Sequence, residues 1–224
     1  MAGTSGSAVN CLIGLTVVSS RDTLHTLTHS LSLSLIHTYN NKRHPRCEDA
    51  PPTLELRDAW MAMESVVGLD GSARRIGLSN IWPNDLLDII KFVEERDDDS
   101  YPPPRKPDVI QAFADPLSPN LELRRVCEEH GIDFVSYSTL GTQHGGTTNP
   151  VLGSDTVQEL SANYGRSVAE VVLSWALQRN MSVIPRSSKK QHIEELANLL
   201  NGEPFLEEDD LSKIDQMSKK TRQS

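Results

Sequence analysis

From about residue 30 onward, short apolar runs rich in Val and Ile alternate with longer stretches of helical periodicity. Residues 31–36, LSLSLI, form the first clear strand-like run, and an earlier apolar run lies near 10–18. After Pro51 and Pro52, the residues Leu56, Ala59, Trp60, Met63 and Val67 recur on one side, the spacing of an amphipathic helix. RIGLSN, residues 75–80, predicts a short strand. Pro83 then opens a helix at a position where its missing N–H costs nothing, with Leu86, Ile89, Ile90 and Val93 as the apolar face. DVIQAF (108–113) and DFVSYS (133–138) predict two more strands. Between them a helix over 119–130 stops at Gly131, a residue suited to a helix C-terminus.

Two helices follow DFVSYS. The second starts at Ser167 with Glu170 three residues on, a capping box, and turns Val168, Val171, Val172, Trp175 and Ala176 to a core. SVIP (182–185) reads as the last strand, followed by helices over 189–200 and 207–218. Two connections stand out. Residues 96–107 carry acidic residues and prolines, which predicts a solvated excursion, and 141–154, GTQHGGTTNPVLGS, predicts a flexible loop.

A strand–helix–strand–helix rhythm implies βα units and a parallel sheet. Neither GxGxxG nor GxxxxGK[ST] occurs, so dinucleotide-fold and P-loop arrangements lose support. A (β/α) barrel remains, and its active site lies at the C-terminal strand ends. Those ends carry His37, then Ser79 and Asn80, Gln111, Tyr137 and Ser138, and finally Arg186 and Ser187. A rim of these side chains suits a ligand bearing an amide and phosphates.

Net charge at pH 7 is −9, which argues against a general nucleic-acid binder. The three cysteines form no CxxC pair and no metal-ligand spacing, so a reduced, cytoplasmic protein without a metal is expected. No apolar run is long enough to span a bilayer, so no membrane partner is expected. The first residues, MAGTSGSAVNCLIGLTVVSS, contain no basic residue of the kind a secretory leader uses.

RDAWMAME (57–64), RIGLSN (75–80), PDVIQ (107–111), GIDFVSYSTLG (131–141) and QRNMSVIPRSS (178–188) together, in this order, resemble the aldo-keto reductase family. The resemblance runs from about residue 23 to the C-terminus, leaving 1–22 as a divergent lead-in and 23–224 as a partial barrel domain. It implies an α/β fold of (β/α)8 TIM-barrel type, incomplete, with five to six βα units and the front strands missing. It implies NADP(H) as cofactor and a small carbonyl compound as substrate, and is silent on oligomeric state. By position, Ser79, Asn80 and Gln111 would hold the nicotinamide carboxamide, and Tyr137 would stack on the ring. Ser138, Leu140 and Gly141 would line the pyrophosphate path. Arg186 and Ser187 would hold the 2′-phosphate, with His192 standing where many members have an arginine, and Glu195 would lie on the adenine side. His37 resembles the catalytic histidine, although Thr38 and Tyr39 follow it instead of Trp-Pro. No lysine or tyrosine precedes His37, and Asp22 is the only acidic residue there. The family's catalytic Asp, Tyr and Lys therefore have no counterpart. A truncated or impaired reductase is expected, with a non-catalytic cofactor-binding subunit or a fragment that does not fold alone as the alternatives.

Overall fold

The computed structural model describes residues 9–16, 32–39, 56–65, 67, 73–97, 99 and 102–221, the first two segments as backbone only. The chain divides into two compact units, residues 1–111 with 125–133, and residues 112–124 with 134–224.

The first unit holds β1 (Val9–Thr16), β2 (Ser32–Tyr39), α1 (Leu56–Ser65), β3 (Arg75–Ser79), α2 (Pro83–Glu94) and most of β4 (Val109–Phe113). β2 pairs with β3, and β3 with β4, in parallel. β1 pairs with β2 antiparallel, Val9 opposite Tyr39 through Thr16 opposite Ser32. An antiparallel partner is not part of a βα crossover, which leaves β2 to β6, the lower end of the five to six units expected. β3 is buried almost throughout, as a parallel strand covered on both faces must be. Leu86, Ile89, Ile90 and Val93 of α2 are buried, as the spacing of the apolar positions requires. Each such side chain contributes about 1.5–3 kcal/mol of burial.

In the 96–107 connection, Asp97, Asp99 and Pro103 are exposed as its composition suggests, but Arg96, Pro102 and Arg105 are held against the core. Glu64, whose side chain is fully buried, pairs with Arg96 and accepts a bond from Arg105 N at 2.7 Å. Arg96 also donates to Pro102 O, Trp60 Nε1 donates to Arg105 O at 2.9 Å, and Pro102 itself is buried. One buried carboxylate in α1 thus supplies the acceptors that hold the loop down. Long-range partners of this kind leave no trace in local composition.

The second unit contains β5 (Asp133–Tyr137, from Phe134), α4 (Asp155–Tyr164), α5 (Val168–Gln178), β6 (Met181–Val183), α6 (Lys190–Asn201), α7 (Glu208–Asp215) and α8 (Met217–Thr221). β5 and β6 pair in parallel, Phe134 opposite Met181 through Ser136 opposite Val183. α3 (Leu121–Glu129) falls partly in each unit. α4 starts at Ser154, whose hydroxyl accepts from Val157 N at 3.3 Å, and ends at Gly165 in the left-handed conformation (φ 61°). The capping box at Ser167 and Glu170 is present in full. Val157, Leu160, Val171, Val172, Trp175, Leu211 and Ile214 form the core of this unit. Trp175 Nε1 donates to Asp215 Oδ1 at 2.8 Å, and Arg179 reaches the same carboxylate. Among the described residues no helix is long and apolar enough to cross a membrane.

Candidate functional site

In the first unit the register sets three predicted residues in one row. His37 lies opposite Ser79, and Ser79 opposite Gln111, across three adjacent parallel strands. β2 continues to Tyr39, so His37 lies inside the strand and not just past its end; its side chain falls outside the described residues. Asn80 leaves β3 with φ 58°, a left-handed conformation that asparagine tolerates better than most residues. Its N–H donates to Gln111 O at 2.9 Å, which fixes the turn against β4. Ser79 is fully buried, and Gln111 is 5% exposed. The Gln111 Nε2 amide has no hydrogen-bond partner. A buried donor left unsatisfied costs about 1–3 kcal/mol. An acceptor on a bound molecule at this strand end would recover that energy, so an amide-bearing ligand suits the residues present.

In the second unit Tyr137 ends β5 half-buried, its ring centroid 6.1 Å from that of Phe113. Ser138 follows with φ 52°, turning the chain away from the strand direction. Gly141 N donates to Ser138 O at 2.9 Å, closing a tight turn. Gly141 sits at φ 78°, and a Cβ there would lie 2.6 Å from Val151 Cγ2 and 2.8 Å from Asn149 Oδ1, so only glycine fits. Asn149 braces the loop from within: its Nδ2 donates to Leu140 O at 2.6 Å, and its Oδ1 accepts from Val151 N and Leu152 N at 3.0 Å. Gln143 Nε2 donates to Ser138 Oγ at 3.1 Å. The 141–154 connection is therefore a braced loop and not the flexible one expected.

Sequence reasoning missed two residues here. Asp115 is fully buried; its Oδ1 accepts from Leu117 N and Ser118 N at 2.8 Å, and its Oδ2 lies 2.6 Å from His144 Nε2. The imidazole meets the Phe113 ring edge-on at 6.0 Å. The stretch Asp115-Pro116-Leu117-Ser118 carries a readable turn signal, an aspartate that can cap its own next amides. Nothing local marks His144 as its partner.

β6 ends at Val183, so Arg186 and Ser187 lie in the connection to α6. Ser187 Oγ accepts from Lys189 N at 3.1 Å and lies 3.3 Å from His192 Nδ1. Arg186 is exposed and, among the described residues, forms no ion pair or hydrogen bond, so its five donors face solvent. With the first amides of α6 beside it, this connection offers positive charge and N–H groups to an anion. Glu195 instead takes Gln191 Nε2 at 2.8 Å and Ser167 Oγ at 3.4 Å. Cys127 plays no chemical part: burial pushes its thiol up to about 12, so it stays protonated and inert.

These elements have counterparts among known proteins. A family model described as "Aldo/keto reductase family" matches residues 19–219. Glyoxal reductase of Bacillus subtilis is 31% identical over 74% of this chain and 53% of its own length. Glycerol 2-dehydrogenase (NADP(+)) of Hypocrea jecorina is 34% identical over 71% of this chain and 46% of its own. The solved aldose reductase from Giardia lamblia superposes with a TM-score of 0.67 at 24% identity, covering 84% of this chain and 62% of that one, a likeness of fold. The chain spans about half the length of the curated relatives it matches.

Proposed function

Because the chain belongs to the aldo/keto reductase family, we propose that it is part of an NADPH-dependent reductase of aldehydes and ketones, with residues 23–224 forming the cofactor side of a (β/α)8 barrel. The observation that carries this reading is Gln111, whose amide is buried and unsatisfied in the row with Ser79 and His37. The oxygen of a carboxamide is one acceptor that would satisfy this donor. Relatives named for NADP dependence support the cofactor assignment, glycerol 2-dehydrogenase (NADP(+)) and NADP-dependent D-sorbitol-6-phosphate dehydrogenase of Malus domestica among them.

When bound, NADPH supplies the hydride that reduces a carbonyl carbon. The chain's residues do the rest. By the family resemblance, Ser79, Asn80 and Gln111 would hold the carboxamide and Tyr137 would stack on the nicotinamide. Ser138, Leu140 and Gly141 would line the pyrophosphate path. Arg186 and Ser187, with His192, would hold the 2′-phosphate, and Glu195 would lie on the adenine side. His37 would orient the carbonyl oxygen.

A second reading has its own observation. Thr38 and Tyr39 follow His37 where the family has Trp-Pro, a departure at the residue that would orient the carbonyl. On that reading the chain holds NADPH without turning substrate over. Titration of the full chain with NADPH and NADH, followed by tryptophan fluorescence, tests both. Saturable binding that favours NADPH supports the cofactor wall, and Arg186→Ala should remove most of that preference while leaving NADH binding alone. Steady NADPH consumption with an aldehyde then selects the reductase, and binding without consumption selects the non-catalytic subunit. Absence of saturable binding sinks both.

A further inference from the structure

Two of the three tryptophans, Trp60 and Trp175, are fully buried, whereas Trp82 is 64% exposed. Trp82 lies in the short connection between β3 and α2, two residues after Asn80. Connections that follow parallel strands are where sites are built on barrels of this type. The residue occupies the N-cap of α2 and makes no side-chain cap bond there. Ser, Thr, Asp or Asn at that position would satisfy a first-turn N–H, and an indole does not. The choice of residue thus works against the helix and against exclusion of apolar surface from water.

The backbone beneath the indole is rigid. Pro83 follows it, and Trp82 is extended at φ −82° and ψ 153°, as a residue before proline must be. Ile81 on its other side is buried, and Asn80 is tied to Gln111 O at 2.9 Å. The same Gln111 that accepts from Asn80 through its main-chain oxygen is 5% exposed and has an unpartnered side-chain Nε2. An exposed aromatic side chain therefore stands in a strand-end turn whose backbone is bonded to the residue that carries the unsatisfied donor.

We propose that Trp82 is an aromatic wall of the carbonyl-substrate site and sets specificity for flat, apolar carbonyl compounds over small or polyhydroxylated ones. This rests on the reductase reading above. A planar substrate stacks on the indole and removes apolar surface on both partners from water; a small ketone or an open-chain sugar covers too little of the ring to gain from it. Stacked pairs of this kind are worth roughly 3- to 10-fold in affinity.

The test uses the full chain saturated with NADP+, with acetophenone and acetone as paired probes and D-xylose as the polyhydroxylated one. Because Trp60 and Trp175 are buried, the emission quenched by acrylamide is that of Trp82. Acetophenone should protect it and shift it to the blue, and acetone and D-xylose should do neither. By ligand-observed NMR, Trp82→Ala should weaken acetophenone binding roughly 3- to 10-fold, with Trp82→Phe close to the unmodified chain. NADPH binding should be the same in all three. Equal acetophenone affinity in Trp82→Ala, or an unprotected Trp82 in a chain that binds NADPH, overturns this proposal and leaves the reductase reading standing. An unmodified chain that binds no NADPH removes both.

Discussion

Asp115→Ala should destabilise the second unit more than any other single change near the braced loop. Three donors converge on this buried carboxylate: Leu117 N and Ser118 N at 2.8 Å and His144 Nε2 at 2.6 Å. Ser118 N keeps a second acceptor in Asp115 O at 3.1 Å, so alanine strands Leu117 N fully and Ser118 N only in part. Hydrogen bonds to a charged group are worth about 1.5–3 kcal/mol each. One such bond lost outright, one partly and the imidazole contact together give about 3–4 kcal/mol. Asp115→Asn keeps an oxygen for the two amides and can meet the neutral imidazole through its other tautomer, so about 1 kcal/mol is expected. His144→Ala removes one of three partners and should cost about 1–2 kcal/mol. Urea unfolding midpoints at unchanged slope give the global values. Amide exchange at Leu117 and Ser118 reads the same loss locally and should accelerate most in Asp115→Ala. An Asp115→Ala chain within about 0.5 kcal/mol of the parent, below the range of a single lost bond, would refute the argument that this carboxylate holds the turn.

Gly141→Ala puts a methyl 2.6 Å from Val151 Cγ2 at φ 78°; about 1–3 kcal/mol of stability should be lost and NADPH binding weakened, read by thermal melting and cofactor titration. Glu64→Gln leaves the Arg96 guanidinium without its carboxylate; a loss of about 3 kcal/mol is expected, with 96–107 becoming sensitive to limited proteolysis. Asp85 is held above the usual carboxylate range, by burial first and by Asp88 second. A raised carboxyl favours the protonated native state, a contribution fully present below the unfolded value and lost as pH rises through the folded one. Asp85→Asn should therefore stabilise the chain slightly at pH 7 and leave it unchanged at pH 3, as unfolding midpoints at the two pH values would show.

The elements were legible wherever the local signal and the tertiary demand agreed. Pro83 marked the start of α2, Ser167 with Glu170 marked α5, and the apolar spacing of Leu86, Ile89, Ile90 and Val93 gave the buried face. Strand-end reading gathered Ser79 and Gln111, which the sheet register sets side by side. What local reading missed depends on partners distant in sequence. The antiparallel pairing of β1 with β2 is a matter of register, which an apolar run does not encode. The loop at 96–107 looked solvated because its acceptor, Glu64, lies in another element. His144 looked like one polar residue in a glycine-rich loop because its meaning lies in Asp115, 29 positions earlier.

The Asp215 carboxylate, which receives both the Trp175 indole and the Arg179 guanidinium, also sets a schedule for biosynthesis. During translation α5 emerges well before α7, so its indole N–H and guanidinium must wait for an acceptor that has not yet been made. The apolar face of α5, with Val171, Val172 and Trp175, is uncovered for that interval, the condition in which nascent chains engage chaperones or each other. Asp215→Ala should accordingly lower the soluble yield in cells by more than its effect on the purified, folded chain would suggest.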